Sequence, residues 1–357
     1  MSNGKDINDH NNLCDSELFY ECNCLSEVLV TSDYIFNIDA TKDNNPNIAV
    51  TTANKSCLVY SLDNNQLANI WESKKEKSKL IGCKYSSREK HVLYIGNSDG
   101  VIKIIDLRTP ENVVVEFTDT TAEGDERKTF NCFDVSTNDR LLAAGTDVLG
   151  GDAFVLFWDI RNKKLLGGYW ESHTDDVTQV RFHPDDMNKL ISGSTDGLIN
   201  LYDLSQTSED DALIDTLNTE SSVNELQWFT KNNKDCISCV THTSDLQLWD
   251  LDKGEPYQSF SREDLITKIM SEHDDDFYLA KFHQLKNSQF ILGGSHYRSK
   301  EYLRALSLHK KGLEPYLEFK NNQQKVRDSA FNEHTNILVT GGEKGVLNIW
   351  KISDPSI

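Results

Sequence analysis

From about Phe19 onward the chain alternates short apolar runs with clusters of Asn, Asp, Gly and Ser. Runs of that length, bounded by turn formers, predict short antiparallel strands, and little of the chain carries the period of an amphipathic helix. The pattern is clearest between Ala144 and Leu204. There AGTDVLGGDAFVLFWDIR, LLGGYWESHTDDVTQVRFHP and KLISGSTDGLINLYDL each read as one or two strands closed by a turn. Two of these strands end on an aromatic followed by aspartate, Trp158-Asp159 and Tyr202-Asp203.

With Trp158 as anchor, the same slot recurs along the chain at Tyr60, Ile105, Trp158, Tyr202, Trp249, Leu306 and Trp350. Successive anchors lie 45, 53, 44, 47, 57 and 44 residues apart. Four strands in a repeat of roughly 40–45 residues make a WD-type propeller blade, and the two long spacings mark insertions. The expected fold is all-β, a seven-bladed WD40 β-propeller over residues 17–357, preceded by a disordered Asn/Asp-rich tail over 1–16. The last repeat lacks its fourth strand, while FYECNCLSEVLV near the N-terminus has no repeat of its own. Because an unpaired sheet edge invites aggregation, this N-terminal strand is expected to close the ring by completing blade 7.

The strands of each blade are called a to d in chain order. Connections from d to the next a, and from b to c, share one end of the ring, the top. The top connection 261–276 pairs Ser261 with Asp264 and places Leu265/Ile269 and Ile266/Met270 four residues apart, which predicts a short capped helix.

Charge narrows the partners. Asp and Glu number 57 against 37 Lys and Arg, a formal charge of -20. Such a surface repels nucleic acid and anionic membrane and favours basic proteins. Carboxylates gather in the top connections of blades 3 to 6: Asp119, Glu123, Asp125 and Glu126; Asp147 and Asp152; Asp175 and Asp176; and Glu263, Asp264, Asp274, Asp275 and Asp276. Lys74, Lys75, Lys77 and Lys79 oppose them on the connection between blades 1 and 2. No apolar run is long enough to cross a bilayer and the N-terminus has no signal-peptide pattern, so a soluble intracellular monomer of cytoplasm or nucleus is expected.

His173, Ser194 and Asp196 contain the residue types of a nucleophilic triad. Their spacing fits a structural role better. Asp196 precedes Tyr202 by six residues and follows Ser194 by two, which resembles the arrangement in WD blades, where a d–a histidine, a b–c aspartate, a strand-b hydroxyl and the strand-c aromatic form one buried network. Cys236 and Cys239 form a CxxC, but residues three apart on a strand point to opposite faces and cannot share a metal. All eight cysteines are expected as free thiols. No phosphate-binding loop, GxSxG or HExxH is present, so neither cofactor nor metal is expected.

The runs AGTDVLGGDAFVLFWDIR, LGGYWESHTDDVTQVRFHPDDMNKLISGSTDGLINLYDL and TGGEKGVLNIWK resemble the WD repeat-containing protein 89 family over most of the chain after about residue 30. The resemblance implies a single seven-bladed propeller and supplies no catalytic residues. The expected function is a non-catalytic scaffold that binds a basic protein segment on the acidic top face. The alternative is a propeller enzyme that uses groups at the central channel.

Overall fold

Each anchor lies on the third strand of a sheet and is buried opposite an apolar residue of the second. Ile48 faces Tyr60, Leu93 faces Ile105, Leu142 faces Trp158, Leu190 faces Tyr202, Ile237 faces Trp249, Ile291 faces Leu306, and Leu338 faces Trp350. One b–c pair per blade thus carries a large side chain into the space between neighbouring sheets. A computed structural model of the chain describes residues 18–109, 113–121, 128–270, 276–286 and 288–352. The tail expected over 1–16 lies outside these residues.

The sheets form seven blades in a ring. Their a strands line the central channel: Ile35–Ala40, Leu80–Tyr85, Phe130–Val135, Val177–Phe182, Val223–Lys231, Tyr278–Gln284 and Val326–Asn332. The core is distributed between blades. Ile35, Ile38 and Val50 of blade 1, for example, pack with Val339, Leu347 and Ile349 of blade 7.

Closure follows the expectation and adds to it. Cys24–Leu29 pairs antiparallel with Val346–Lys351 and supplies the fourth strand of blade 7. Just before it, Tyr20–Cys22 runs parallel to Gly312–Phe319 and makes blade 6 five-stranded. One N-terminal segment therefore grips the outer edges of two blades. The buried Arg304 guanidinium stacks over Phe19 at 4.5 Å and donates to the Ile269 carbonyl at 2.5 Å and to Glu318 Oε2 at 3.2 Å. Lys320 Nζ bridges Glu21 and Glu318 at 3.2 and 3.1 Å.

The helix expected in the long top connection is α2 (Arg262–Ile269). Ser261 and Asp264 form its reciprocal capping box, and Leu265, Ile266 and Ile269 are buried against blades 5 and 6. A shorter helix, α1 (Glu209–Ala212), interrupts the c–d connection of blade 4.

Removing residues 18–31 would strip both edge pairings, and is expected to lower the melting temperature by at least several degrees in a calorimetric scan. Removing 1–12 is expected to leave it unchanged. Equal melting of the two truncated proteins would contradict the closure.

Candidate functional site: acidic top rim and central channel

The chain positions the top carboxylates on hydrogen-bonded turns. Between strands b and c of blade 3, Leu149 and Asp152 bridge across Gly150 and Gly151, whose φ values of 72° and 107° favour glycine. The resulting hairpin displays Val148 and Leu149 at 42% and 47% exposure, beside the exposed Asp152. Its base is tied down twice. Asp176 Oδ1 accepts from the Val148 N–H at 2.8 Å, and Asp147 Oδ2 accepts from the Thr129 hydroxyl at 2.5 Å.

Asp147, Asp152, Asp175 and Asp176 are thus brought to one arc over blades 3 and 4. Asp147 and Asp176 are half-buried and occupied in holding the hairpin, whereas Asp152 and Asp175 are exposed. Glu263 and Asp264 sit on α2, in a different arc over blades 5 and 6, and Asp264 is engaged by the Ser261 N–H and hydroxyl at 3.2 and 2.9 Å. Asp276 is exposed at the end of that connection. Asp274 and Asp275 lie outside the described residues, as do Glu123, Asp125 and Glu126. Asp119 belongs to the interior: it pairs with Lys128 at 2.7 Å, and the Lys128 ammonium lies 5.3 and 5.4 Å from the Phe154 and Trp170 rings.

Under the arc, His173 Nδ1 lies 3.0 Å from Asp196 Oδ2, and His173 Nε2 lies 2.7 Å from Ser192 Oγ. Ser192 reaches the Tyr202 hydroxyl at 3.3 Å. The strand-b hydroxyl of this network is therefore Ser192, where the spacing had pointed to Ser194. Ser194 faces the turn instead: it donates to the Asp175 carbonyl at 2.9 Å and accepts from the Asp196 N–H at 3.0 Å. Asp, His and Ser stand here in the sequence of contacts a hydrolase uses, but Ser192 is 0% and His173 1% exposed, so no substrate reaches the hydroxyl.

Burial pushes the Asp196 carboxyl up. The His173 hydrogen bond and charge, with the Leu198 and Thr174 N–H groups, outweigh it and hold the group below the usual carboxylate range.

The channel carries a pattern that the sequence reading missed. Going round the ring, corresponding positions of the a strands present Asp39, Lys84, Asp134, Arg181, Glu225, Lys281 and Asp328, alternating in sign, with Lys325 and Arg327 of blade 7 also lining the channel. Lys84 pairs with Asp134 at 3.0 Å, Arg181 with Glu225 at 3.3 Å and Lys281 with Asp328 at 2.8 Å. Three of the carboxylates also accept a backbone N–H from the next blade: Asp39 from Tyr85, Asp134 from Phe182 and Asp328 from Ile38, at 2.6, 2.9 and 2.7 Å. Burial raises the Asp39 carboxyl above its ordinary value despite the attraction of Lys84 and the Tyr85 hydrogen bond. The signal was available: a charged residue recurs at nearly the same offset in every a strand.

Among the described residues no group of three or more His, Cys, Asp or Glu is placed to hold a metal ion. The seven described cysteines are free, with Cys236 and Cys239 packed in different core clusters. No helix is long and apolar enough to cross a membrane among the residues described.

A family described as the nucleolar protein 10-like N-terminal domain, a β-propeller, matches residues 116–292. The chain is 26% identical to the WD repeat-containing protein 89 homolog of Dictyostelium discoideum, over 91% of this chain and 84% of that protein. It is 32% identical to the WD repeat-containing protein GTS1 of Arabidopsis thaliana, over 74% of this chain and 65% of that one. To the GATOR2 complex protein WDR24 of Danio rerio it is 25% identical, over 70% of this chain and 29% of the relative.

Two outcomes follow from the buried groups. Lys281→Met leaves the Asp328 carboxylate without its cation, and is expected to cost about 3 kcal/mol in chemical denaturation, with part regained by adding Asp328→Asn. Because Asp196 is held low, its stabilising contribution is complete above about pH 4 and fades as pH falls through the lower folded-state value. Asp196→Asn is expected to be less stable at neutral pH and to lose less on acidification, read from denaturation midpoints across that range.

Proposed function

We propose, from the premise that this chain is a WD-repeat β-propeller protein, that it serves as an interaction scaffold whose top face over blades 3 and 4 receives a basic protein segment. WD-repeat propellers are typically non-catalytic scaffolds, and a relative named as a GATOR2 complex protein supports protein partners as the general class. The observation that carries the reading is the hairpin at Val148–Asp152. It places an exposed apolar pair beside the exposed carboxylates of Asp152 and Asp175, on a base fixed by Asp147 and Asp176. A fixed apolar tip supplies contact area with little ordering cost, and the carboxylates select and steer a cationic partner.

The channel supports an enzyme less well. Its carboxylates are committed to ion pairs or to the backbone of the neighbouring blade, which leaves them poorly placed as acids or bases.

Asp152→Lys with Asp175→Lys reverses the two exposed charges and spares the two that hold the hairpin. Affinity capture from cell extract is expected to lose basic proteins selectively, in a manner weakened by salt in the wild type, with the melting temperature unchanged. An identical set of captured proteins would refute the top-face reading.

A further inference from the structure

The top face carries a second charged arc, opposite in sign to the one over blades 3 and 4. The connections 53–56 within blade 1 and 73–79 between blades 1 and 2 bring together Lys55, Lys74, Lys75, Lys77 and Lys79. Their one carboxylate, Glu76, is taken by Lys103 of blade 2 at 2.7 Å. Lys74, Lys75, Lys77 and Lys79 are exposed and form no ion pair with a described carboxylate. The excess survives a wider count. Glu72, Asp33 and Asp99 border these connections, and blade 7 adds Lys325, Arg327 and Lys344 against Glu343, so nine cations stand against five carboxylates. In a chain of net charge -20 this is a local reversal of sign. The top connections 147–152, 174–176, 195–197 and 219–222, over blades 3 and 4, contain no Lys or Arg. At the other end of the channel, a bottom cavity of about 1000 Å³ sets Lys42, Arg88 and Lys90 beside Asp39, Asp43 and Glu89 and has no such excess.

The lysine loop 73–79 is fixed along its length. Ser73 Oγ accepts the Cys57 N–H at 2.9 Å, and the Ser73 N–H donates to the Cys57 carbonyl at 2.8 Å. The Glu76 N–H donates to the Lys55 carbonyl at 2.9 Å, and Lys55 Nζ donates to the Lys77 carbonyl at 2.6 Å. The Lys79 carbonyl accepts the Ser98 N–H of blade 2 at 2.9 Å. Apolar surface adjoins the cations directly: Lys79 Nζ lies 5.1 Å from the centre of the Phe36 ring, which meets the exposed Tyr34 ring edge-on at 6.2 Å. Only blade 2 separates this loop from the Val148–Asp152 hairpin of blade 3.

We propose that the segment received by the top face is bipolar, with its basic block over Val148–Asp152 and an acidic block on the lysine loop 73–79. This rests on the top-face reading above and specifies its partner. The molecule as a whole repels an acidic block by itself. Joined to a basic block, it belongs to a nearly neutral segment, and the bound basic half holds it over the lysines at high effective concentration. Lysines present separate point charges rather than the bidentate fork of arginine, and a polyanion continuing past the loop would run onto the acidic arc; both favour a short run of carboxylates over nucleic acid. The fixed loop lowers the ordering cost of the contact.

The test is fluorescence anisotropy at low and physiological ionic strength with three labelled peptides: oligolysine, oligoglutamate, and the two joined by a Gly/Ser spacer of about eight residues, ~15 Å in root-mean-square span. The proteins are the wild type, Asp152→Lys with Asp175→Lys, and Lys74→Gln/Lys75→Gln/Lys77→Gln with its Glu counterpart. The wild type is expected to bind the joined peptide about tenfold more tightly than oligolysine, an advantage that salt weakens. The Gln variant is expected to lose that advantage while still binding oligolysine, and the Glu variant to bind the joined peptide more weakly than oligolysine. The two readings fail separately. No saturable binding of oligolysine, or binding indifferent to Asp152→Lys with Asp175→Lys, removes the top-face reading and this proposal with it. Oligolysine binding that depends on those aspartates, with no gain from the joined peptide or a gain that survives both lysine-loop variants, overturns the acidic block alone.

Discussion

The pairing of Cys24–Leu29 with Val346–Lys351 is the contact on which the rest of the ring depends. Each blade buries its faces only against its two neighbours, so the cores between blades are complete only when the last blade meets the first. The cluster joining Ile35 and Val50 to Val339 and Ile349 spans that junction. Without the N-terminal strand, blade 7 would present an open edge beside it, and the hydrogen bonds of strand Val346–Lys351 would turn to water or to another chain. The segment Tyr20–Cys22 extends the same grip to blade 6. Arg304 unites Phe19, the end of α2 and Glu318, so insertion and closure share one buried cation.

Charge closes the ring from inside, under a different constraint. Alternating signs cannot run round an odd number of blades without setting two like charges side by side. In this channel the pair is Asp328 and Asp39. Asp328 has Lys281 and the Ile38 N–H, which keep it occupied. Asp39 has the Tyr85 N–H, and burial pushes its carboxyl up. Each carboxylate that reaches the next blade's backbone joins adjacent a strands, which share no ladder of their own; the charges serve cohesion as well as neutrality.

The repeat could be read in the sequence because its most visible feature, a large side chain on strand c, performs the same packing in all seven blades. Even Ile105 and Leu306, where no aromatic marks the slot, face the same position of strand b. The buried network was legible to its members and not to its register. Ser192 and Ser194 are two apart on one strand, share a face by alternation and are both fully buried, so spacing alone cannot say which one meets His173. Tyr20–Cys22 gave no warning because three residues hold too little alternation to declare a partner. Among the rim acids, counting gave the cluster but not the division of labour: Asp176 and Asp147 look like Asp175 and Asp152 until the hairpin bonds are seen.

That division bears on how a rigid ring can present one charged arc to a partner. The floor shared by the upper channel and the bottom cavity is the band of Asp39, Lys84, Asp134 and Arg181, in which Lys84 and Arg181 are already matched by carboxylates. A neutralised band of this kind passes little field from one end to the other, and salt screens what remains within about 8 Å. The excess acid at the top therefore acts locally. A cationic segment over Val148–Asp152 would not require the blades to move, because the hairpin beneath it is fixed by hydrogen bonds to Asp176 and Thr129.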